Sequence, residues 1–216
     1  MAAAPPRVKP KLRGVFHEIA FYAAVVTSVP LIWTAEGGRA RASAIIFALS
    51  VIICFGASAL YHRPTWQPRV RSWLARLDHA GIYLLIAGTN TPFGLIVLSR
   101  NWAIPVLSIV WGGALIAIFL KLFWPGVPKP VSAGIGLALG WVAIAAFSQL
   151  LKLPVAAIVL LLVGGLAYTV GAIIYALRRP DPFPAVLGYH ELFHLLTLVG
   201  AGSQYVAIAF YVLPRA

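Results

Sequence analysis

Seven apolar stretches of roughly 20 residues each leave this chain one way to fold, as helices that cross a lipid bilayer. They run about Phe16–Ala35, Ser43–His62, Asp78–Leu98, Trp102–Phe123, Val131–Leu151, Pro154–Leu177 and Gly188–Leu213. None shows a sustained alternation of apolar and polar residues, which excludes a transmembrane barrel. Composition agrees, with 61% of the 216 residues hydrophobic and 10% charged. A soluble domain is about half apolar and about a quarter charged. The expectation is therefore an all-α integral membrane protein, a seven-transmembrane-helix bundle forming a single domain over residues 16–216, with a basic tail over residues 1–15.

The breaks between spans are explicit in the sequence. Glu36-Gly-Gly-Arg39 separates the first two, and Arg63-Pro-Thr-Trp-Gln-Pro68 stops the second, because a residue before proline disfavours the α region. Trp124-Pro-Gly-Val-Pro-Lys-Pro130 and Arg178-Arg-Pro-Asp-Pro-Phe-Pro184 are stiff turns. Only Lys152-Leu-Pro154 separates spans five and six, yet their combined length is far too great for one crossing. The start is basic and proline-rich, and the run after it has full spanning length with no clear cleavage site, so no cleaved signal peptide is expected. The one cysteine, Cys54, excludes a disulfide framework or a cysteine-rich zinc module and reads as a small buried apolar residue.

Lysine and arginine set the orientation. The tail (Arg7, Lys9, Lys11, Arg13), the loop after span two (Arg63, Arg69, Arg71, Arg76), the loop after span four (Lys121, Lys129) and the loop after span six (Arg178, Arg179) carry 12 of the 17 basic residues. The other side holds Arg39, Arg41, Arg100, Lys152 and Arg215. An excess of basic residues marks the cytoplasmic face, which puts the N-terminus in the cytoplasm and the C-terminus outside. A net charge of +12 then fits attraction to anionic membrane lipids, and no nucleic-acid-binding motif accompanies it.

With that orientation, His62 ends span two, Asp78 opens span three, and His190 and His194 begin span seven, all at one depth near the cytoplasmic face. Ionisable residues bordering apolar spans are costly and mark function by default. The i, i+4 spacing of His190 and His194 puts both on one helix face, suited to holding a zinc ion, and His62 would complete a set of three. Three protein ligands with one open position is the catalytic pattern, in which zinc would lower the pKa of its bound water to about 7 and Asp78 would hydrogen-bond that water and act as general base. Ser58, one turn before His62, could donate a hydrogen bond to a substrate carbonyl or to Asp78. Tyr61, Thr89, Asn90, Ser203 and Gln204 qualify by type as partners for the histidines' second ring nitrogens. Against this stands the bland reading of histidines in the headgroup layer, which suits His17 and His79. His190-Glu-Leu-Phe-His194 is also a literal H-E-x-x-H, in which Glu191 would be the base of a metalloprotease. Glu191 points about 100° from the histidine line, which favours a bond to a loop or an arginine instead.

Ser58-Ala-Leu-Tyr-His62, then Leu77-Asp-His-Ala-Gly-Ile-Tyr-Leu-Leu-Ile-Ala-Gly-Thr-Asn-Thr-Pro92, then Tyr189-His-Glu-Leu-Phe-His194 resembles the hemolysin III family. These are bacterial members of the progestin and adipoQ receptor superfamily, whose wider relatives include the alkaline ceramidases. The resemblance implies a seven-helix bundle in the bacterial cytoplasmic (inner) membrane, with its N-terminus in the cytoplasm. It implies zinc ligands at His62, His190 and His194, an aspartate holding the zinc water at Asp78, and the family serine at Ser58. The match at the start, Arg13-Gly-Val-Phe-His17-Glu18, is loose.

Three functions compete. One is a zinc-dependent hydrolase of lipid amides or esters, acting on a membrane lipid held in the bundle. Another is a receptor or membrane-homeostasis protein in which zinc only staples helices. The last is membrane lysis by a pore, for which several spans should carry polar stripes. They do not, and Gly112-Gly113, Gly134/Gly136/Gly140 and Gly164-Gly165 read instead as close helix packing.

Overall fold

The structure, a computed structural model, describes residues 9–124 and 126–216. Its seven long apolar helices are α1 (Val15–Trp33), α2 (Gly38–His62), α3 (Pro68–Val97), α4 (Arg100–Phe123), α5 (Lys129–Leu150), α6 (Val155–Leu177) and α7 (Tyr189–Arg215). Each is long and apolar enough to cross a membrane, and helices satisfy every backbone hydrogen bond internally, as lipid requires. The chain is a multi-pass membrane protein.

Helix ends depart from expectation mainly at α2 and α3. Span three was expected to open at Asp78, but the helix begins at Pro68, which occupies its first turn. There proline lacks only an N–H that would have no partner anyway, and its fixed φ suits helix entry. Trp66 Nε1 donates to Leu60 O (2.7 Å), tying the short link back onto the end of α2. Arg69, Arg71 and Arg76 therefore ride on the first turns of a helix rather than in a loop, and Asp78 lies inside α3. Likewise α2 starts at Gly38, not Ser43, and carries Arg39 and Arg41. The brief punctuation between spans five and six does separate two helices. The chain turns over Leu151–Pro154, where Leu153 N–H donates to Leu150 O (3.0 Å). α5 also tightens to a 3₁₀ stretch over Val142–Ala146, while α3 and α7 widen to π turns over Phe93–Val97 and Ile208–Val212.

Sequential neighbours α1–α2, α2–α3, α3–α4 and α6–α7 pack along their lengths, and α1 also meets α7, closing the bundle. The two most enclosed helices are α2 and α3, which carry half of the chemistry; α5 is the least enclosed. One end of the bundle gathers the basic segments. Lys11 N–H bonds Ala185 O (3.0 Å), Lys9 Nζ bonds Arg63 O (3.0 Å), and Arg76 Nη1 bonds Leu122 O (2.8 Å). Burial and the crowding of Arg63, Arg71 and Arg13 hold the Lys9 ammonium below its ordinary pKa. At the opposite end Arg215 bonds Lys152 O (3.1 Å). Arg7 of the basic tail falls outside the described residues.

Small residues let helices approach, though not at every expected position. A Cβ on Gly164 would lie 3.2 Å from Gly200 O of α7, and one on Gly165 would lie 2.9 Å from the Trp141 ring. Gly113 meets Leu139 in the same way. Gly112, Gly134 and Gly140, by contrast, face open space, so close packing does not account for them. The tightest backbone approach near the chemistry is Gly81 of α3, whose Cβ would come within 3.1 Å of the Cys54 Cα on α2. Cys54 is buried, as expected. Gly81→Leu should therefore lower stability in detergent by about 1–3 kcal/mol through overpacking. Gly112→Leu should change it by less than about 0.5 kcal/mol. Thermal unfolding of the two purified variants, side by side, checks the contrast.

Candidate metal centre

His62 ends α2, and His190 and His194 lie on the first turns of α7. Their ring nitrogens offer one ligand atom each, all within 4.8 Å of one another. His190 Nε2 and His62 Nε2 stand 3.1 Å apart. Two nitrogens bound at about 2.05 Å to one tetrahedral ion are about 3.4 Å apart, so this spacing fits a common zinc. All three rings are enclosed, with His62 7%, His190 8% and His194 2% exposed. Imidazole binds a metal through a ring nitrogen in its neutral form. The set can therefore hold a metal ion.

Asp78 approaches from the neighbouring helix, its Oδ2 3.4 Å from His62 Nε2. Ser58 sits one turn before His62, fully buried, and its Oγ has no hydrogen-bond partner among the described residues. An orphaned hydroxyl in a dry interior is unfavourable and calls for a partner supplied by a ligand or a water. Beside the cluster lies a void of about 20 Å³, bordered by Asp78, His190, His194 and His17 among others. That is room for about one water molecule.

The structure adds one residue to this cluster. His17, on the first turn of α1, stacks on His194 with ring centroids 3.8 Å apart and planes 6° from parallel. Both its ring nitrogens are buried without hydrogen-bond partners among the described residues. Its place at the basic end of α1 gave its depth; only packing reveals the stack. His79 does not join the three ligand candidates. Its Nε2 lies 3.3 Å from Tyr175 Oη, and it borders both the void and a larger cavity.

The expected supports for the histidine rings are not the ones formed. Asn90 Nδ2 donates to Ile86 O (2.9 Å), and among the described residues Thr89 Oγ1 and Gln204 Oε1 have no partner and Ser203 makes no bond to a ring. Tyr61 contributes only its ring face, 4.4 Å from His62 centroid to centroid. A candidate's residue type says nothing about its direction on the helix. Support comes instead from beneath. Glu191, wholly inaccessible, accepts an ion-paired hydrogen bond from Arg13 Nε at Oε1 and one from Gly188 N–H (2.9 Å) at Oε2. It caps the start of α7 and joins it to the N-terminal segment. Both carboxylate oxygens are thus engaged away from the histidines, and the H-E-x-x-H reading finds no free base. The partner segment presses on the site too. Gly14 has φ of 81°, and a Cβ there would fall 2.6 Å from the His62 Cβ.

The cavity adjoining the cluster has a volume of about 370 Å³ and lies between α3, α5, α6 and α7. His79, Ile82, Tyr175, Phe193 and Thr197 form a wall common to cavity and void.

Fold and cluster together define a class: a seven-helix membrane protein with three histidines and an aspartate buried at one end beside an intramembrane cavity. Comparison with known proteins makes it particular. The family described as "Haemolysin-III related" matches residues 7–205, and the chain belongs to that family. It is 36% identical to Hemolysin-3 of Bacillus cereus over 172 residues, 79% of this chain and 75% of that one. It is 33% identical to the Hemolysin-3 homolog of Bacillus subtilis (strain 168) over 195 residues, 87% of this chain and 88% of that one. The Adiponectin receptor protein of Drosophila melanogaster is 27% identical over 190 residues, 76% of this chain and 41% of that one. The family is thus related to the adiponectin receptors.

Elemental analysis of the detergent-purified protein should find about one zinc per chain. A His190→Ala/His194→Ala variant should lose it. Equal zinc in both preparations would place the metal elsewhere.

Proposed function

We propose that this protein is a zinc-dependent hydrolase of lipid amides or esters, working at the cytoplasmic end of the bundle. The observation that carries the reading is the clustering of three enclosed imidazoles and Asp78 beside a small void whose wall, His79, Ile82, Tyr175, Phe193 and Thr197, is shared with a mostly apolar cavity of about 370 Å³. His62, His190 and His194 would hold the metal. A zinc ion in such a set supplies Lewis acidity, bringing the pKa of water to about 7 and polarising a carbonyl.

The protein's own groups do the rest. The cavity binds the acyl chain and brings its carbonyl to the wall shared with the void, where there is space for one water. Asp78 orients that water and takes its proton as the oxygen attacks the carbonyl carbon. The unpartnered Ser58 Oγ donates to the carbonyl oxygen as negative charge builds on it, a contact of most value in the transition state. The carbon–nitrogen or carbon–oxygen bond then breaks. Asp78 returns the proton to the departing amine or alcohol, leaving a carboxylic acid. The tight fit of Gly14 and the Arg13–Glu191 pair exclude bulk water from the basic end.

One observation favours a second reading. All three imidazoles come from α2 and α7 alone, so a metal there would also staple the last helix to the second. A receptor or homeostasis protein would need no more than that. The relatives named hemolysins raise membrane lysis as well. For this chain lysis follows more readily from the products of lipid hydrolysis than from a pore, because the spans carry no polar stripes.

Purified protein should hydrolyse at least one of a panel of ceramides and acyl lipids. Asp78→Asn should lower that rate by about 10²–10⁴-fold while zinc is retained. Full activity in Asp78→Asn and in His194→Ala would remove the hydrolase reading. Loss of thermal stability on zinc removal, with no turnover of any lipid, would replace it with the staple.

A further inference from the structure

The cavity carries a feature that the hydrolytic chemistry does not use. Lys121, on the last turn of α4, and Lys129, at the start of α5, both border it at the basic end of the bundle. From there the lining runs the length of α5, through Gly136, Trp141 and Phe147 to Leu150, and is otherwise mostly apolar. Lys121 is 8% exposed, and among the described residues its Nζ donates only to the neutral Ser132 Oγ. Lys129 Nζ lies 4.5 Å from the centre of the Tyr175 ring and 3.4 Å from Tyr189 Oη, again neutral groups. Among the described residues no carboxylate borders the cavity.

Nor does any acid form an ion pair with either lysine among the described residues. Glu18 pairs with Arg63 (2.6 Å) and Glu191 with Arg13. Asp78 faces His62, Asp181 accepts from the Tyr189 N–H (2.9 Å), and Glu36 lies in the α1–α2 link at the far end. A cation enclosed without a counter-charge in a membrane bundle is costly, and the usual resolution is an anion brought by a ligand. Lys121, buried, and Lys129, half-buried, stand together at one end of an apolar cavity. Its volume of about 370 Å³ is near the lower end of the ligand-pocket range of about 300–1,000 Å³, which suits one hydrocarbon chain better than two.

We propose that the cavity takes a single-chain amphiphile with an anionic head group, a phosphate or carboxylate, held by Lys121 and Lys129. The two ammonium groups select the charge of the head, and the walls of α3, α5 and α6 select the chain. Zwitterionic heads are disfavoured because their own cation would meet both lysines. The inference deepens the lipid reading given above, yet its binding step needs neither metal nor turnover.

The test uses the full-length protein in phosphatidylcholine nanodiscs, with a dansyl-labelled undecanoate as the fluorescent occupant. Dodecyl phosphate should displace it, dodecyl phosphocholine should do so at least tenfold more weakly, and inorganic phosphate should not displace it at comparable concentration. Lys121→Met and Lys129→Met should each weaken dodecyl phosphate about tenfold, as loss of a hydrogen bond to a charged group predicts, without weakening dodecyl phosphocholine, so that the gap between the two narrows. Gly136→Phe, which fills the cavity, should weaken every amphiphile alike. If Lys121→Met does not fold, Lys129→Met carries the test alone. Equal displacement by the phosphate and phosphocholine amphiphiles would overturn the proposal, as would lysine variants that bind as the parent does. Displacement by inorganic phosphate as effective as by dodecyl phosphate would reduce the site to a free-anion site. Dodecyl phosphate has no amide or carboxylic ester, so these outcomes are independent of whether the protein hydrolyses lipids.

Discussion

An imidazole or carboxylate set among apolar helices has no water to turn to, and the rest of this structure follows from how that cost is met. The five histidines and five acids of the chain are too few to be scattered. Asp78, His62, His190, His194 and His17 instead collect in one layer, where Asp78 faces His62 and His17 stacks on His194. Gathering them demands close helix approach, which Gly81 against the Cys54 backbone permits. It also demands a firm start to α7, which Glu191 supplies through its bonds to the Gly188 N–H and Arg13. Packing and polarity are here one requirement.

The fold was legible because lipid removes most alternatives. Helix length, apolar runs and proline-rich breaks gave all seven helices, and even the short Lys152-Leu-Pro154 break was real. Helix starts were less legible at the basic end. Hydropathy falls off where Arg69, Arg71 and Arg76 begin, but Pro68 is a good first-turn residue and the helix continues out of the apolar layer. Apolar periodicity marks where a helix meets lipid, not where its hydrogen bonds stop.

The candidate site was legible to the level of depth and helix face. Depth brought His62, Asp78, His190 and His194 together, and i, i+4 spacing aligned the last two. What escaped was direction around the helix axis. His17 proved to stack flat on His194, and the polar residues expected to steady the rings, such as Asn90, bond their own helix instead. The same limit applied to Glu191, where a 100° offset gave the direction and Arg13 the reason. The lysines of the cavity were visible only as charges for orientation. Their lack of an acidic neighbour is a three-dimensional fact.

The histidine set joins the second helix to the last, with 128 residues between His62 and His190. At a synthesis rate of about 5–20 residues per second, roughly 6–26 s separate the emergence of these two positions from the ribosome. During that interval α2 and α3 stand in the membrane with His62 and Asp78 lacking the face of α7 that later covers them. Completion of the cluster is thus the closing event of biogenesis. A chain truncated before α7, or one unable to seat it, leaves His62 and Asp78 without that cover, at the cost that attends ionisable groups facing lipid.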